Sequence, residues 1–442
     1  MSHSSHSSHG SGIDPKLEEI WAKADVDLEA LSTIISAHFR MPCVSRECLG
    51  IGGYARTFKC TLQDGKRLVA KVTLPVREVV KTEAEVAAMD SMRARTSITV
   101  PLVYLYCSSQ DNPVKAEWIV MDFMDGVHFS ECFRKLTVEQ QKTAGEDMAR
   151  VMTATFALTA THCGSMLRDC SLRDDQRAVR YSNNAAPTPH NLPQAVRDAE
   201  PSGEFMVGPV NEVVFLDHEN PVPASSSGPF ATESEYLEAV ANMGRPATRP
   251  SGKSERWPYE RVFEVYEAIR PLYHDLDTAP TSTSGAPTLH FTHNDLTSKN
   301  VLLDPETGHI TAVLDWEMAG FFPSWHAAEA GADFDDDYHR FIFEDWQEGL
   351  CSGDCGGPEA AEVHKHFRDE LKRLDPLLFA NYWRGVELRA LLANFGQPAS
   401  TNVLMWLEKY AEYHWDVNQR GPFPFDLPRW VNEQYEVWRS ER

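Results

Sequence analysis

The sequence contains no long apolar run. No stretch approaches the roughly 20 apolar residues that a membrane-spanning helix requires. After the initial methionine, residues 2–12 are only Ser, His and Gly, and they lack the apolar core of a secretory signal peptide. We therefore expect no association with a membrane. We interpret His3, His6 and His9 as an added affinity tag and exclude them from any metal site.

Basic residues are scarce relative to acidic ones. The chain has 42 Lys and Arg against 65 Asp and Glu, which gives a formal net charge of -23 at pH 7. No basic stretch offsets this excess, so we expect no binding to nucleic acid. The same excess favours cationic ligands, because opposite charges attract at a protein surface. Nothing in the sequence indicates a protein partner.

Cysteines are too few and too scattered for a disulfide framework. Two of them, Cys351 and Cys355, are close in sequence, but no other Cys or His lies at a spacing typical of a metal site, so we expect a surface loop there. A reducing cytoplasmic location is the simplest expectation for such a chain. The nine cysteines are at positions 43, 48, 60, 107, 132, 163, 170, 351 and 355.

The most informative stretch is His-Asn-Asp-Leu-Thr-Ser-Lys-Asn-Val at residues 293–301, followed by Asp-Trp-Glu at residues 315–317. Phosphoryl transfer from ATP requires a carboxylate beside the accepting hydroxyl and oxygen ligands for Mg²⁺. Asp295, Asn300 and Asp315 can supply all three groups. Their order and spacing match the catalytic loop and metal-binding aspartate of kinases.

Strands are predicted around this loop. Residues 288–292 and 301–303 are short, apolar and β-prone, and residues 304–308 have the composition of a turn. Residues 310–314 then predict a second strand that ends at Asp315. A hairpin would therefore carry both predicted metal ligands, Asn300 and Asp315.

Upstream residues supply the other parts of a nucleotide site in the expected order. Residues 49–60 predict two strands joined by a turn that contains Gly50, Gly52 and Gly53, and glycines let backbone amides approach phosphates closely. Residues 68–73 predict a strand with one lysine, Lys71, among apolar neighbours. We expect Lys71 to contact the phosphates.

A helix predicted over residues 79–89 offers two partners for Lys71, namely Glu83 and Glu85. We favour Glu85 and place Glu83 on the solvated face. The strand of residues 117–126 resembles a hinge between two lobes. There the carbonyl of Asp122 and the amide of Met124 are expected to face the adenine, with Met121 at the back of the pocket.

Taken together, these motifs resemble those of the aminoglycoside phosphotransferase and choline kinase family, and fungal members in particular. The similarity covers roughly residues 40–350 and is most specific at residues 315–323, Asp-Trp-Glu-Met-Ala-Gly-Phe-Phe-Pro. It implies an α+β, bilobal, protein-kinase-like fold. A small N-terminal lobe with an antiparallel sheet would precede a larger, mainly helical C-terminal lobe. It also implies Mg²⁺ as cofactor and ATP as co-substrate.

One departure from the family is Asn294, where most members have glycine. Asn tolerates unusual backbone angles better than most residues, so we expect activity to survive. The sequence also lacks the Ala-Pro-Glu segment of protein kinases, and the stretch after Asp315 is too short for a phosphorylated activation loop. Both features argue against a protein substrate.

Three segments are predicted along the chain. Residues 1–15 are expected to be a disordered, tag-like segment, and residues 16–124 an N-terminal helix over 17–39 followed by the nucleotide-binding small lobe. Residues 125–442 would form the large lobe, with a long insertion around 170–287 that we expect to be largely surface loop. Its first helix should run from a capping-box-like start at Thr137 to Thr161. Further helices are predicted at 259–276, 362–374 and 380–395.

The expected activity is transfer of the ATP γ-phosphate to a hydroxyl of a small molecule, with amine-bearing compounds among the candidates. Asp295 would act as base, and His293 would brace the loop. The acidic stretches 333–338 and 344–346 fit an amine site and a solvated helix start equally well. Two alternatives stay open, namely a choline, homoserine or sugar kinase and a nucleotide-binding pseudokinase without turnover.

Overall fold

The computed structural model describes residues 21, 23–74, 77–181, 201–216, 226–243, 289–331, 334, 357–385, 388, 389 and 392. Within these residues, no helix combines the length and the apolar character needed to cross a membrane. The seven cysteines of this part of the chain are unpaired thiols.

An antiparallel sheet forms the small lobe. Its strands follow the order β1-β2-β3-β5-β4, and one long helix, α2, is inserted between β3 and β4. The elements are α1 (Leu28–Phe39), β1 (Cys43–Ile51), β2 (Ala55–Leu62), β3 (Arg67–Thr73), α2 (Val80–Arg95), β4 (Val103–Cys107) and β5 (Glu117–Asp122).

Helix α1 begins later than the sequence predicted. The Asp27 side chain accepts a hydrogen bond from the backbone N–H of Ala30 at 2.8 Å, which caps the helix and fixes its start at Leu28. Residues 21 and 23 are helical, as predicted. Residues 24–27 are not, so the expectation of one continuous helix over 17–39 is wrong there, while residues 17–20 and 22 lie outside the described part.

The large lobe combines helices with two further sheets. Sheet orders are β10-β11-β8-β15-β12-β7 and β14-β13-β6. The strands are β6 (Val127–His128), β7 (Thr159–Ala160), β8 (Gly164–Asp169), β9 (Val179–Arg180), β10 (Pro201–Ser202), β11 (Phe205–Gly208), β12 (Leu289–Thr292), β13 (Val301–Leu303), β14 (Ile310–Val313) and β15 (Gly320–Pro323). The helices are α3 (Phe129–Cys132), α4 (Val138–Phe156), α5 (Glu233–Met243), α6 (Ser324–Ala327), α7 (Gly357–Leu374) and α8 (Pro376–Arg384).

This arrangement confirms the predicted α+β class with an antiparallel small lobe. The sequence did not predict the six-stranded sheet of the large lobe. The small-lobe sheet also gains a sixth strand from beyond residue 124, because β9 pairs parallel to β4. The division into domains at residues 124 and 125 stays a prediction.

Helix α2 joins the two lobes through an apolar core. Val86, Met89 and Met92 are buried in one cluster with Met166 and Phe205 of the large-lobe sheet. Burial of apolar side chains is the main favourable term in folding, so this face of α2 is held against the large lobe. The helix is therefore shared between the lobes.

Among the described residues of the 170–287 insertion, 173–176 and 179 are exposed, as expected. Residues 201–216 and 226–243 are not surface loop. They supply β10, β11 and α5, and Phe205 and Tyr236 within them are buried. The expectation of a largely exposed insertion is therefore wrong for residues 201–216 and 226–243. The predicted helix at 259–276 and the other loose stretch, 278–287, lie outside the described residues.

Helix α7 ends at the predicted residue, Leu374, and begins earlier, at Gly357. Helix α8 covers the beginning of the segment predicted at 380–395. The acidic stretches 333–338 and 344–346 lie outside the described part except for Phe334, which is buried beside Phe367. Cys351 and Cys355 also lie outside it.

The predicted capping box at the start of α4 is confirmed. The Thr137 hydroxyl accepts from the N–H of Gln140 at 3.3 Å, and the Gln140 side chain accepts from the N–H of Thr137 at 2.9 Å. The helix ends at Phe156 instead of Thr161, since the chain then enters strand β7.

We expect Thr137→Ala to lower the free energy of unfolding by about 1 kcal/mol, because an orphan N–H of the first turn loses its acceptor. Urea denaturation monitored by circular dichroism measures this change. Thr143→Ala, within the same helix, is the matched control and should change stability by a few tenths of a kcal/mol. Equal effects of the two substitutions would contradict the role of the cap.

Candidate active site

Lys71 lies at the centre of a buried cluster of charged side chains. Its ammonium donates to both carboxylate oxygens of Glu85, at 2.8 and 2.9 Å. It also contacts Oδ1 of Asp315 at 2.6 Å and Oε2 of Glu317 at 2.7 Å. Asp315 is 244 positions away along the chain, so the cluster connects the small lobe with the large lobe.

The alternation of strand β3 explains why Lys71 faces this cluster. Leu68, Ala70 and Val72 belong to the same apolar cluster as the buried face of α1. Neighbouring side chains of a strand point to opposite faces, so Lys71 projects toward α2. Packing of the apolar residues therefore fixes the direction of the lysine.

Attraction between opposite charges stabilises the cluster around Lys71. Burial opposes the charge of Lys71, but attraction to Asp315, Glu317 and Glu85 outweighs it, so the pKa of Lys71 lies well above its usual value. Burial also opposes ionisation of Glu317, whereas Lys71 and Lys81 lower the pKa of Glu317 to about 2. Both groups are therefore charged at neutral pH.

The two acidic residues of α2 face different surroundings. Glu85 contacts Lys71, whereas Glu83 accepts hydrogen bonds from Ser108, from Tyr106 and from Arg180 of β9. Glu83 is buried, so the expectation of a solvated position for it is wrong. These contacts connect α2 to β9, the edge strand of the small-lobe sheet that comes from beyond residue 124.

The loop after β12 places Asp295 beside Asn300. The Asn300 amide Nδ2 donates to the backbone carbonyl and to Oδ2 of Asp295, both at 2.8 Å. Burial and the negative charge of Asp315 raise the pKa of Asp295 to about 6, although the hydrogen bond from Asn300 opposes this shift. Asp295 is thus a carboxylate whose affinity for a proton is increased.

His293 and Asn300 connect this loop to the strand that carries Asp315. Nε2 of His293 donates to the carbonyl of Leu314 at 2.8 Å, and the N–H of Leu314 donates to the carbonyl of Asn300 at 2.7 Å. Burial lowers the pKa of His293 to about 4, so the ring is neutral at pH 7. Its contacts are those of a bracing residue.

Asp315 has a left-handed backbone conformation, with φ at 61°. A short 3₁₀ turn, Trp316–Met318, follows at once and buries Trp316, whose Nε1 donates to the carbonyl of Val313 at 3.1 Å. This turn directs Asp315 and Glu317 toward Lys71. The turn ends at Met318, and strand β15 begins two residues later, at Gly320. This leaves no room for a long activation segment.

Asn294 also has a left-handed conformation, with φ at 58°. Asn adopts this conformation more readily than most residues other than glycine. Its Oδ1 lies 2.7 Å from Nε2 of His326, which is buried in helix α6. The side chain that replaces a glycine here is therefore held in place by a hydrogen bond.

The predicted glycine turn lies between β1 and β2 and contains Gly52 and Gly53, whereas Gly50 lies within strand β1 and pairs with Thr57. The N–H of Gly52 donates to the carbonyl of Ala55 at 2.8 Å, which closes the turn. None of Gly50, Gly52 and Gly53 has a positive φ, and a Cβ added to Gly53 would meet no atom within 4 Å. Gly53 therefore borders open space, whereas a Cβ on Gly50 or Gly52 would be in ordinary contact with Thr57 or Ala55.

The predicted hinge residues lie at the end of β5 and just beyond it. Met121 is buried and pairs with Val69 of β3, and Asp122 is the last residue of the strand. The Asp122 side chain accepts from the Tyr104 hydroxyl at 2.6 Å, which fixes the end of β5 to β4. Met124 lies in the irregular segment that leads into the large lobe.

The cluster contains the atoms that a magnesium ion requires. Carboxylate oxygens of Glu85, Asp315 and Glu317 lie within 4.8 Å of one another. Mg²⁺ prefers such hard oxygen ligands. The donor set therefore fits Mg²⁺.

Sequence reasoning missed three residues of this region. Glu317 was quoted only as part of a motif, and Lys81 and His326 were not assigned. Lys81 is four residues before Glu85 on α2, and residues at this spacing share one helix face. That spacing could have identified Lys81. No local signal identifies His326, because it meets Asn294 only through the tertiary fold.

A family model described as "Phosphotransferase enzyme family" matches residues 49–326. The match covers more than half of the chain. It begins in β1, just before the glycine turn, and ends within helix α6. All residues of the cluster around Lys71, together with the loop that carries Asp295, lie inside it.

Curated relatives are fungal. Subtelomeric hrmA-associated cluster proteins from two strains of Aspergillus fumigatus are 24% identical over 320 residues, which are 63% of this chain and 58% of the relative. The mitochondrial protein "Altered inheritance of mitochondria protein 9" of Yarrowia lipolytica is 23% identical over 202 residues, 43% of this chain and 33% of the relative. The chain thus spans less than two thirds of the length of these relatives.

Solved structures of aminoglycoside phosphotransferases are also similar. That of APH(4)-Ia aligns with 87% of this chain and 97% of its own, at 15% identity and a TM-score of 0.46. A complex of APH(2″)-IIa with gentamicin aligns with 88% of this chain and 96% of its own, at 12% identity and a TM-score of 0.45.

His326 makes a testable contribution to stability against acid. Burial lowers its pKa to about 4, so below pH 6.5 the unfolded chain binds a proton that the folded chain does not. The folded state therefore loses stability as pH falls from 6.5 to 4. We expect His326→Gln to reduce this loss by about 1 kcal/mol per unit between pH 6 and 5.

The measurement is urea unfolding of the protein and the variant at several pH values. Comparing the two slopes isolates His326 from the other titrating groups. The matched control is His162→Gln, at a position that is not buried. A slope unaffected by His326→Gln would show that the ring is protonated in the folded state.

Proposed function

The chain belongs to the phosphotransferase enzyme family, and from this premise we propose that it transfers the terminal phosphate of ATP to a hydroxyl group of a small molecule. The observation that carries the proposal is the meeting of Lys71, which is buried, with Asp315 and the Asp295–Asn300 pair, which are half-buried. These are the groups that phosphoryl transfer requires.

Asp295 acts as the base in this proposal. Its carboxylate orients the accepting hydroxyl and takes its proton as the oxygen attacks the phosphorus in line with the leaving ADP. Asn300 holds the carboxylate in position through its amide N–H. The raised pKa of Asp295, about 6, leaves it mostly ionised at pH 7 while increasing its affinity for the proton.

The other residues bind the nucleotide and its metal. Asn300 and Asp315 would hold Mg²⁺, with Glu317 beside them, and the bound ion would neutralise charge on the phosphates. Lys71 contacts the α- and β-phosphates and is held by Glu85. The glycines at positions 50, 52 and 53 cover the phosphates, and Met121, Asp122 and Met124 line the adenine site.

The acceptor is a hydroxylated compound, and the net charge of -23 favours one that carries an amine. Gentamicin is bound by a structural neighbour, and we extend that chemical class to this chain as part of the proposal. A choline, homoserine or sugar kinase uses the same site and differs only in the acceptor. Screening these compounds side by side distinguishes the possibilities.

The pseudokinase alternative is tested by the same screen. Binding of a non-hydrolysable ATP analogue without turnover of any acceptor would support it.

We retain a cytoplasmic location as part of the proposal, supported by the scattered cysteines. Several fungal relatives carry "mitochondrial" in their names, so imaging of the tagged protein against a mitochondrial marker is the direct test.

Asp295→Asn should lower turnover about 100- to 10,000-fold, because the base can no longer accept a proton. The affinity for the ATP analogue AMP-PNP should change little. Release of ADP in a coupled assay and calorimetric titration measure the two quantities. Asp174→Asn removes an exposed carboxylate and is the matched control. Undiminished phosphorylation by Asp295→Asn would refute its role as base.

Asp315→Ala should instead weaken nucleotide binding itself, since a metal ligand is lost. We expect the wild-type protein to bind AMP-PNP more tightly with Mg²⁺ than without it, and the variant to lose most of that difference. Calorimetric titration in both buffers provides the measurement. If Mg²⁺ tightens binding to the variant and the wild type equally, Asp315 does not hold the metal.

A further inference from the structure

A second lysine, Lys81, is buried beside Lys71. It is 0% exposed, and its ammonium contacts Oε2 of Glu317, the same oxygen that Lys71 contacts. The two ammonium groups are therefore close neighbours. Like charges in a buried site repel, so the pair requires negative charge nearby.

The position of Lys81 in α2 is unfavourable for a cation. The helix begins at Val80, so Lys81 lies in the first turn, at the positive end of the helix dipole. Apolar residues would fill a buried position at lower electrostatic cost. The placement therefore points to an anion as its partner.

Glu317 alone does not satisfy this ammonium. A lysine has three N–H donors, and in the described part of the chain Lys81 has one hydrogen-bond acceptor, Oε2 of Glu317. Its ammonium also lies 5.5 Å from the centre of the Tyr54 ring, and it attracts the carboxylates of Glu85 and Glu117 without a hydrogen bond to either. Two donors are thus available to a further acceptor.

Tyr54 shows where that acceptor would lie. It follows Gly53 in the glycine turn, so Lys81 sits between this turn and Glu317. The proposed function places the nucleotide phosphates in this space. A phosphate carries several acceptor oxygens, which would fill the two remaining donors of Lys81.

Resting on that proposed function, we propose that Lys81 is a second phosphate-binding residue, which contacts the terminal phosphate of the nucleotide while Lys71 contacts the inner phosphates. In this proposal both ammonium groups contact the phosphates during transfer, and their carboxylate partners hold them in place. Lys81 would neutralise charge on the group that moves.

The test compares AMP, ADP and AMP-PNP as ligands of Lys81→Met in calorimetric titrations. Affinity for AMP-PNP should fall about tenfold or more, because a charge-assisted hydrogen bond is lost. The loss for ADP should be much smaller, and AMP should bind unchanged, which also shows that the variant is folded. Lys115→Met, at an exposed lysine paired with Asp25, is the matched control.

A merely structural role predicts another result. If Lys81 acts only by holding Glu317, Lys81→Met should have no further effect in a Glu317→Gln background, whereas a phosphate contact makes the loss for AMP-PNP persist there. Should Glu317→Gln fail to fold, titration of Lys81→Met in Mg²⁺-free buffer replaces it, because a direct contact acts without the metal.

Three outcomes overturn the proposal: an unchanged affinity for AMP-PNP, equal losses for all three nucleotides, or a loss that disappears with Glu317→Gln or without Mg²⁺. A wild-type protein that binds no nucleotide is a different failure. It would remove the proposed function, and the role of Lys81 with it.

Discussion

The structure depends on one buried ammonium, that of Lys71, and on the three carboxylates around it. Removing charges from water costs several kcal/mol per ion, and only well-placed opposite charges offset this cost. Glu85, Asp315 and Glu317 come from a helix and a turn that are far apart in sequence. Strand β3, helix α2 and the turn after β14 must therefore meet correctly, or an uncompensated charge is left inside the protein.

The same requirement organises the large lobe beneath the cluster. Two consecutive segments, the loop after β12 and the β13–β14 hairpin, are joined by hydrogen bonds through His293, Asn300 and Leu314. Left-handed backbone at Asn294 and Asp315 turns the chain at both ends of this unit. Such conformations cost energy for residues other than glycine, and the surrounding hydrogen bonds hold them in place. The proposed base and the proposed metal ligand are thus positioned by one network.

Local signals in the sequence predicted much of this site. The alternation of β3, the capping box of α4 and the turn between β13 and β14 each depend on residues close together in the chain, so the sequence shows them directly. The large-lobe sheet could not be predicted in this way, because β8 pairs with β11 and β15, which come from distant segments with short strands. The burial of Glu83 and Lys81 could not be predicted from local signals either, since their partners lie on other elements.

The attachment of α2 to both lobes limits how the protein can be switched. Protein kinases are commonly inactivated by moving the equivalent helix, which separates the lysine from its glutamate. Here an outward movement of α2 would expose Val86, Met89 and Met92 to water, at about 1.5–3 kcal/mol for each side chain. It would also break the contacts of Glu83 with Arg180 and of Arg95 with Asp169. Separating Glu85 from Lys71 by this movement is therefore costly, because the packing of α2 against the large lobe would be lost with it.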